Sequence, residues 1–173
     1  AQHKAVEQAL PLFRKDFSPS DYIHILQKFH TFFRAYESQM ESWTHLEIPH
    51  FENRLQRASW LSQDLKSLGV NPENNSAILL NLNDKATVLG AMYVIEGSTL
   101  GGQIIVRHLR TQLQLPENAT HFYGSYRERT GEFWLEFKKY LDRQIDHPQE
   151  FITSAVQSAR NTFETIKITL SST

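Results

Sequence analysis

Apolar residues recur at three- and four-residue intervals along nearly the whole chain, the spacing of one face of a helix. Residues 2–13 carry Val6, Leu10 and Phe13 in that register. Ser18-Pro19-Ser20-Asp21 follows, an N-cap serine with proline at the first helical position and an acid at the third. The helix it opens carries a broad stripe of Tyr22, Leu26, Phe29, Phe33 and Tyr36. A loop around Ile48-Pro49 leads to a helix bearing Leu55, Leu61, Leu65 and Leu68, which Gly69 ends. The asparagine-rich stretch 71–83 reads as a connection with at most one helical turn. Asp84 then caps a long helix from about Lys85 to Leu113. Ser125 or Thr130 opens the next, through Trp134, Phe137 and Leu141 to about Ile145. Pro148 sits in the first turn of the last, which carries Phe151, Ala155, Ala159, Phe163 and Ile166. No strand pattern, internal repeat or long linker interrupts this order. The expectation is an all-α helical bundle in one domain spanning residues 1–173.

Composition narrows the chemistry. With 173 residues, 40% of them hydrophobic, the chain can bury a substantial core. A formal net charge of −1, with both signs mixed along the chain, gives no general attraction to nucleic acid or to an anionic membrane. The absence of cysteine excludes disulfides, iron–sulfur clusters and thiolate ligation. No uninterrupted apolar run reaches the roughly 18–20 residues of a membrane span, and no signal peptide opens the sequence. A cytoplasmic protein is therefore expected. Ala1 falls inside the first expected helix.

The most informative stretch is Tyr93-Val94-Ile95-Glu96-Gly97-Ser98-Thr99-Leu100-Gly101-Gly102-Gln103, glycine-rich between strongly helical flanks. Each interior glycine costs about 1 kcal/mol relative to alanine, so the three together cost about 3 kcal/mol. Two explanations compete. Glycine lets another helix approach closely, or it lets backbone bend over a flat ligand with no Cβ in the way. Ser98 and Thr99 add a tendency to bend, because their hydroxyls can bond back to helix carbonyls.

That eleven-residue segment resembles the distal-helix signature of bacterial heme oxygenases, especially those that accompany bacteriophytochromes. The similarity runs over nearly the whole chain in the expected order of helices. It implies a heme oxygenase-like bundle in which Gly97, Ser98, Gly101 and Gly102 form a kinked segment over one face of heme. Among eight histidines, His3 is set apart by Glu7 one turn further on the same helix face. Such a carboxylate can fix the imidazole tautomer and leave the other nitrogen for a metal; an ordinary exposed His–Glu pair would look the same. His-x-x-(Ala/Val)-Glu near the start of the first helix resembles the family's proximal segment, which implies that His3 ligates the iron and Glu7 supports it. His24 and His30 do not share a helix face, and His108 would point away from the kink.

The resemblance further implies cations for the heme propionates. Arg127, Arg129 and Arg160 are the candidates, with Lys4 and Arg107 behind them; from the residues alone each reads first as a solvated surface charge. Phe163 resembles a family position near heme, and Tyr93 and Tyr123 are expected to line the pocket, although all three could simply be core. One departure stands out. Mammalian-type members carry an aspartate just after the first glycine of the kink, where this chain has Ser98 and one extra residue. That leaves the proton route and the attacked meso carbon open. The implied activity is cleavage of heme to biliverdin, Fe²⁺ and CO, with heme as both cofactor and substrate. It would draw on O₂ and electrons from a ferredoxin or flavoprotein reductase, and hand product to a phytochrome or a reductase. The competing readings are a heme carrier or sensor that leaves the ring intact, and a helical interaction module that has lost heme.

Overall fold

Ser18 caps the first long helix as its sequence requires. Its hydroxyl accepts from the Asp21 amide at 3.2 Å while the Asp21 carboxylate accepts from the Ser18 amide at 2.8 Å, with Pro19 at the first position. The helix, α1 (Pro19–Met40), buries Tyr22, Leu26, Phe29, Phe33 and Tyr36, the stripe read from the sequence. These positions come from a computed structural model, which describes residues 11–144 and 148–171. The expected first helix, 2–13, therefore lies outside the described residues except for a 3₁₀ turn at Pro11–Phe13.

Two helices replace the single one expected around Leu55–Leu68: a short α2 (Phe51–Arg54) and α3 (Arg57–Ser67). Gly69, at φ +77°, takes the left-handed position just past α3. The following connection has no helix, as its composition suggested, and two glutamines of α1 hold it. Gln27 bonds the Asn71 carbonyl and the Glu73 amide, each at 2.9 Å; Gln39 bonds the carbonyl and amide of Leu80 at 2.7 and 3.2 Å. Side-chain amides thus satisfy backbone groups that neither helix nor sheet would serve.

Asp84 opens α4 (Lys85–Ser98) with a reciprocal cap to Thr87. The long helix expected to reach Leu113 is broken by a 3₁₀ turn at Thr99–Gly101 and resumes as α5 (Gly102–Leu113). The hydroxyls of Ser98 and Thr99 bond the carbonyls of Ile95 and Glu96, both at 2.7 Å, at the break. By length and composition alone Lys85–Leu113 could cross a membrane, which a search for uninterrupted apolar runs does not detect. In this fold 56% of its most apolar window is buried, as in the core helix of a globular protein. A short α6 (His121–Gly124) and a 3₁₀ turn at Arg127–Arg129 precede α7 (Thr130–Asp142). Thr130, rather than Ser125, begins that helix, because Ser125 sits at φ +42°. The last helix is α8 (Gln149–Ser171), directly after Pro148.

The core is organised by α4 against α8 and α1 against α3. Glycine makes the first of these contacts possible. A methyl group added at Gly90 would overlap the carbonyl of Ala155, so the two backbones meet there without side chains between them.

Candidate functional site

A cavity of about 360 Å³ opens beneath the helix break. Val94, Ile95, Gly97, Ser98, Thr99, Leu100, Gly101, Gly102 and Ile105 form one wall; Phe29 and Phe33 of α1, Phe122 and Tyr123 of α6, and Phe163 and Ile166 of α8 form the others. This volume and apolar lining are those of a small-molecule site. Leu100 of this wall is 51% exposed, and Tyr93 and Ile104, outside the cavity, stand exposed along the same broken helix at 45% and 66%.

The glycines divide between the two explanations that their sequence left open. Gly102 is a packing glycine: a Cβ there would collide with the Tyr123 carbonyl. Gly101 meets nothing within 4 Å, so its bare backbone faces open space. At Gly97 a Cβ would touch only the Trp134 ring, at 3.5 Å.

Polar groups in the cavity are few. Tyr123 is buried, and its hydroxyl has no hydrogen-bond partner among the described residues. Burial, with a smaller contribution from Asp64, pushes this phenol above its ordinary range. Buried Asp64 of α3 positions the aromatic wall by accepting from the His121 and Phe122 amides at 2.7 and 2.9 Å; it also pairs with the His121 ring at 2.8 Å. Burial raises the Asp64 carboxyl even against those hydrogen bonds.

Among the described residues, Arg57 is the one side chain of fixed charge in the cavity lining. Its guanidinium is 2.9 Å from Glu96, which also pairs with Arg54 and accepts from the Tyr126 hydroxyl at 3.1 Å. Arg54, Arg57 and Glu96 are all at most 2% exposed. Arg54 further bonds the carbonyls of Pro49 and Phe133 at 2.7 and 3.0 Å. Burial, opposed in part by Arg57, pushes the Tyr126 phenol up to about 12. Burial pulls on the Arg57 guanidinium in the opposite sense, but Tyr126 and Glu96 outweigh it and raise its pKa.

Of the sequence candidates, Gly97, Ser98, Gly101, Gly102, Tyr123 and Phe163 meet at this cavity. Tyr93 lies on the exposed side of the helix, its ring 5.5 Å from Trp134. The three arginines are elsewhere. Arg129 is exposed and paired with Glu132 at 2.9 Å, and Arg127 lines a separate polar cleft with Trp60, Arg110 and His121. Arg160 is exposed on α8, outside the cavity lining. His3, Glu7 and Lys4 lie outside the described residues. The Pro11–Phe13 turn packs on α5: the Phe13 ring lies tilted against His108 at 4.6 Å, and the His108 ring donates to the Leu12 carbonyl at 3.0 Å. Sequence reasoning passed over Arg54, Arg57 and Tyr126. The only signal for them was Glu96 itself, a carboxylate in an otherwise apolar stretch of helix that requires partners once buried.

The family model for heme oxygenase matches residues 1–171. A curated heme oxygenase of Xanthomonas campestris is 27% identical over 124 residues, 72% of this chain and 73% of that protein. The fold superposes on the NO- and CO-bound heme oxygenase from Neisseria meningitidis with a TM-score of 0.78 at 24% identity. That match covers 96% of this chain and 80% of the other. The glycine-walled cavity under the broken helix thus sits in a chain that belongs to the heme oxygenase family, the heme-degrading oxidoreductases.

Proposed function

We propose that this chain cleaves heme to biliverdin, Fe²⁺ and CO, with O₂ and reductant consumed, and that heme lies against the glycine break with its iron on His3. The observation that carries this reading is the open space at Gly101, beside an apolar cavity, in a member of this family. A flat macrocycle needs backbone without Cβ on one side, and Gly101 and Gly97 provide that with only an indole edge nearby. The lining fits an apolar ring: aromatic and aliphatic side chains surround it, and the Tyr123 hydroxyl is left available.

Heme is the substrate and brings the reactive iron; the protein contributes binding, orientation and electrostatics. Gly97 and Gly101 let the ring approach the helix. Phe29, Phe33 and Phe163 exclude water from the apolar side. Glu7 would hold the His3 ring through its second nitrogen, as carboxylates do for metal-bound histidines. Arg160, one turn from Phe163, and Arg107, on the helix beyond Ile104, are the exposed cations best placed for propionates, since Arg129 is already paired. Ser98 is not an acid, and its hydroxyl proton is bonded to Ile95, so proton delivery falls to water held by other groups. An electron donor such as ferredoxin or a flavoprotein reductase would supply reductant in the cytoplasm, and a phytochrome or biliverdin reductase would accept the product.

The test is an aerobic reaction of the hemin-loaded protein with ascorbate or with ferredoxin and its reductase. Loss of the Soret band with appearance of biliverdin is expected. A Soret band that survives many equivalents of reductant in air would replace this reading with that of a heme carrier.

A further inference from the structure

The polar groups at the helix break are mostly spent. Ser98 and Thr99 bond their own helix. Among the described residues, what remains at the cavity with fixed charge is Arg57 of α3. It is clamped by Glu96 and reaches the Tyr126 hydroxyl at 3.4 Å. Two guanidiniums share a single buried carboxylate between them, that of Glu96. A second carboxylate, Glu37 of α1, accepts from the Ala58 amide at 3.1 Å and interacts electrostatically with Arg57. Taking such ions out of water costs several kcal/mol each, and well-packed apolar side chains of similar volume often stabilise a core as much or more. Stability alone therefore gives no reason to bury this arrangement directly under the glycine break.

We propose that Arg57 is a positioning residue of the heme site: the Glu96–Tyr126 clamp fixes its positive charge at the cavity, where it would order water and favour an anionic ligand taken up beside bound heme. This rests on the reading that heme occupies the glycine-walled site. It assigns to a charged group behind the helix the role that an acidic side chain on the helix would otherwise take. A guanidinium suits the task because it stays charged at every working pH and presents several donors in a rigid plane.

The test reads anion affinity rather than turnover. Azide is titrated into the ferric hemin complex of the wild type, Arg57→Gln, Arg57→Met and Arg57→Lys, and followed by the Soret shift. Both neutral variants leave Arg54 and Glu96 as a balanced buried pair, which favours folding. They are expected to bind azide about tenfold more weakly, the effect of removing one charge roughly 12 Å away at an effective dielectric of about 20. Arg57→Lys is expected to stay within about threefold of wild type, since the charge is kept. Should the neutral variants fail to fold, Glu37→Gln reports on the same charge, because its carboxylate interacts with Arg57. Removing that carboxylate is expected to tighten azide by roughly threefold. Azide affinity unchanged by these substitutions in proteins that bind hemin normally would overturn the proposal for Arg57 and leave the heme site standing. Failure of wild type to bind hemin would instead overturn the reading beneath it.

Discussion

The two halves of the broken helix do different work although they are continuous in sequence. In α4, nine of fourteen residues are buried, and Gly90 brings it into backbone contact with α8. In α5, only three of twelve are buried, and Ile104 near its start stands exposed. The first half is a post held on most of its circumference; the second is a wall with a broad free surface. Glycine marks both, for opposite reasons. At Gly90 and Gly102 the space that a side chain would need is already filled by backbone, whereas at Gly101 it is empty.

Substitutions should separate the halves, and the largest effect is expected where charge is buried. Glu96→Leu leaves Arg54 and Arg57 without their common partner, and denaturant melts should show a loss of about 3–5 kcal/mol or an unfolded protein. Next come Gly90→Ala and Gly102→Ala. Each forces a methyl group into a carbonyl and should cost about 1–3 kcal/mol through displacement of α8 or α6. Gly101→Ala lies at the other extreme. Its stability should stay within about 0.5 kcal/mol of wild type, since nothing stands in the way and alanine favours helix. Equal losses at Gly90 and Gly101 would erase the distinction between post and wall.

The smallest effect expected is an alkaline one. Tyr126 is raised by burial to about 12, above the ordinary phenol value of 10.0. An acid with a raised native pKa favours the folded state while it is protonated. Its contribution is complete below pH 10 and is lost as the pH climbs through 12. Tyr126→Phe should therefore move the alkaline unfolding midpoint upward, seen by circular dichroism.

The helical bundle was legible from periodicity and caps because those signals are local. Ser18-Pro19-Ser20-Asp21 and Asp84 close their own hydrogen bonds within three residues, whatever the rest of the chain does. The glycine segment was legible as unusual, but not the division of labour within it, because the neighbours that decide it, Ala155 and Tyr123, are 65 and 21 residues away. The same limit hid Arg57, whose partners Glu96 and Tyr126 are 39 and 69 residues distant. It also left Arg127 and Arg129 as plausible pocket cations. A guanidinium in sequence does not reveal whether a carboxylate one turn on, such as Glu132, has already claimed it.

The most direct test of the central claim, that the open glycine face is where heme lies, is a hemin titration of Gly101→Leu beside wild type, with the melting temperature of each apoprotein. The account expects an unchanged melting temperature, because the side chain enters empty space, and hemin affinity reduced by at least about tenfold, because that space is where the macrocycle belongs. Hemin binding at wild-type affinity, with the same Soret band, would place heme elsewhere and contradict the account.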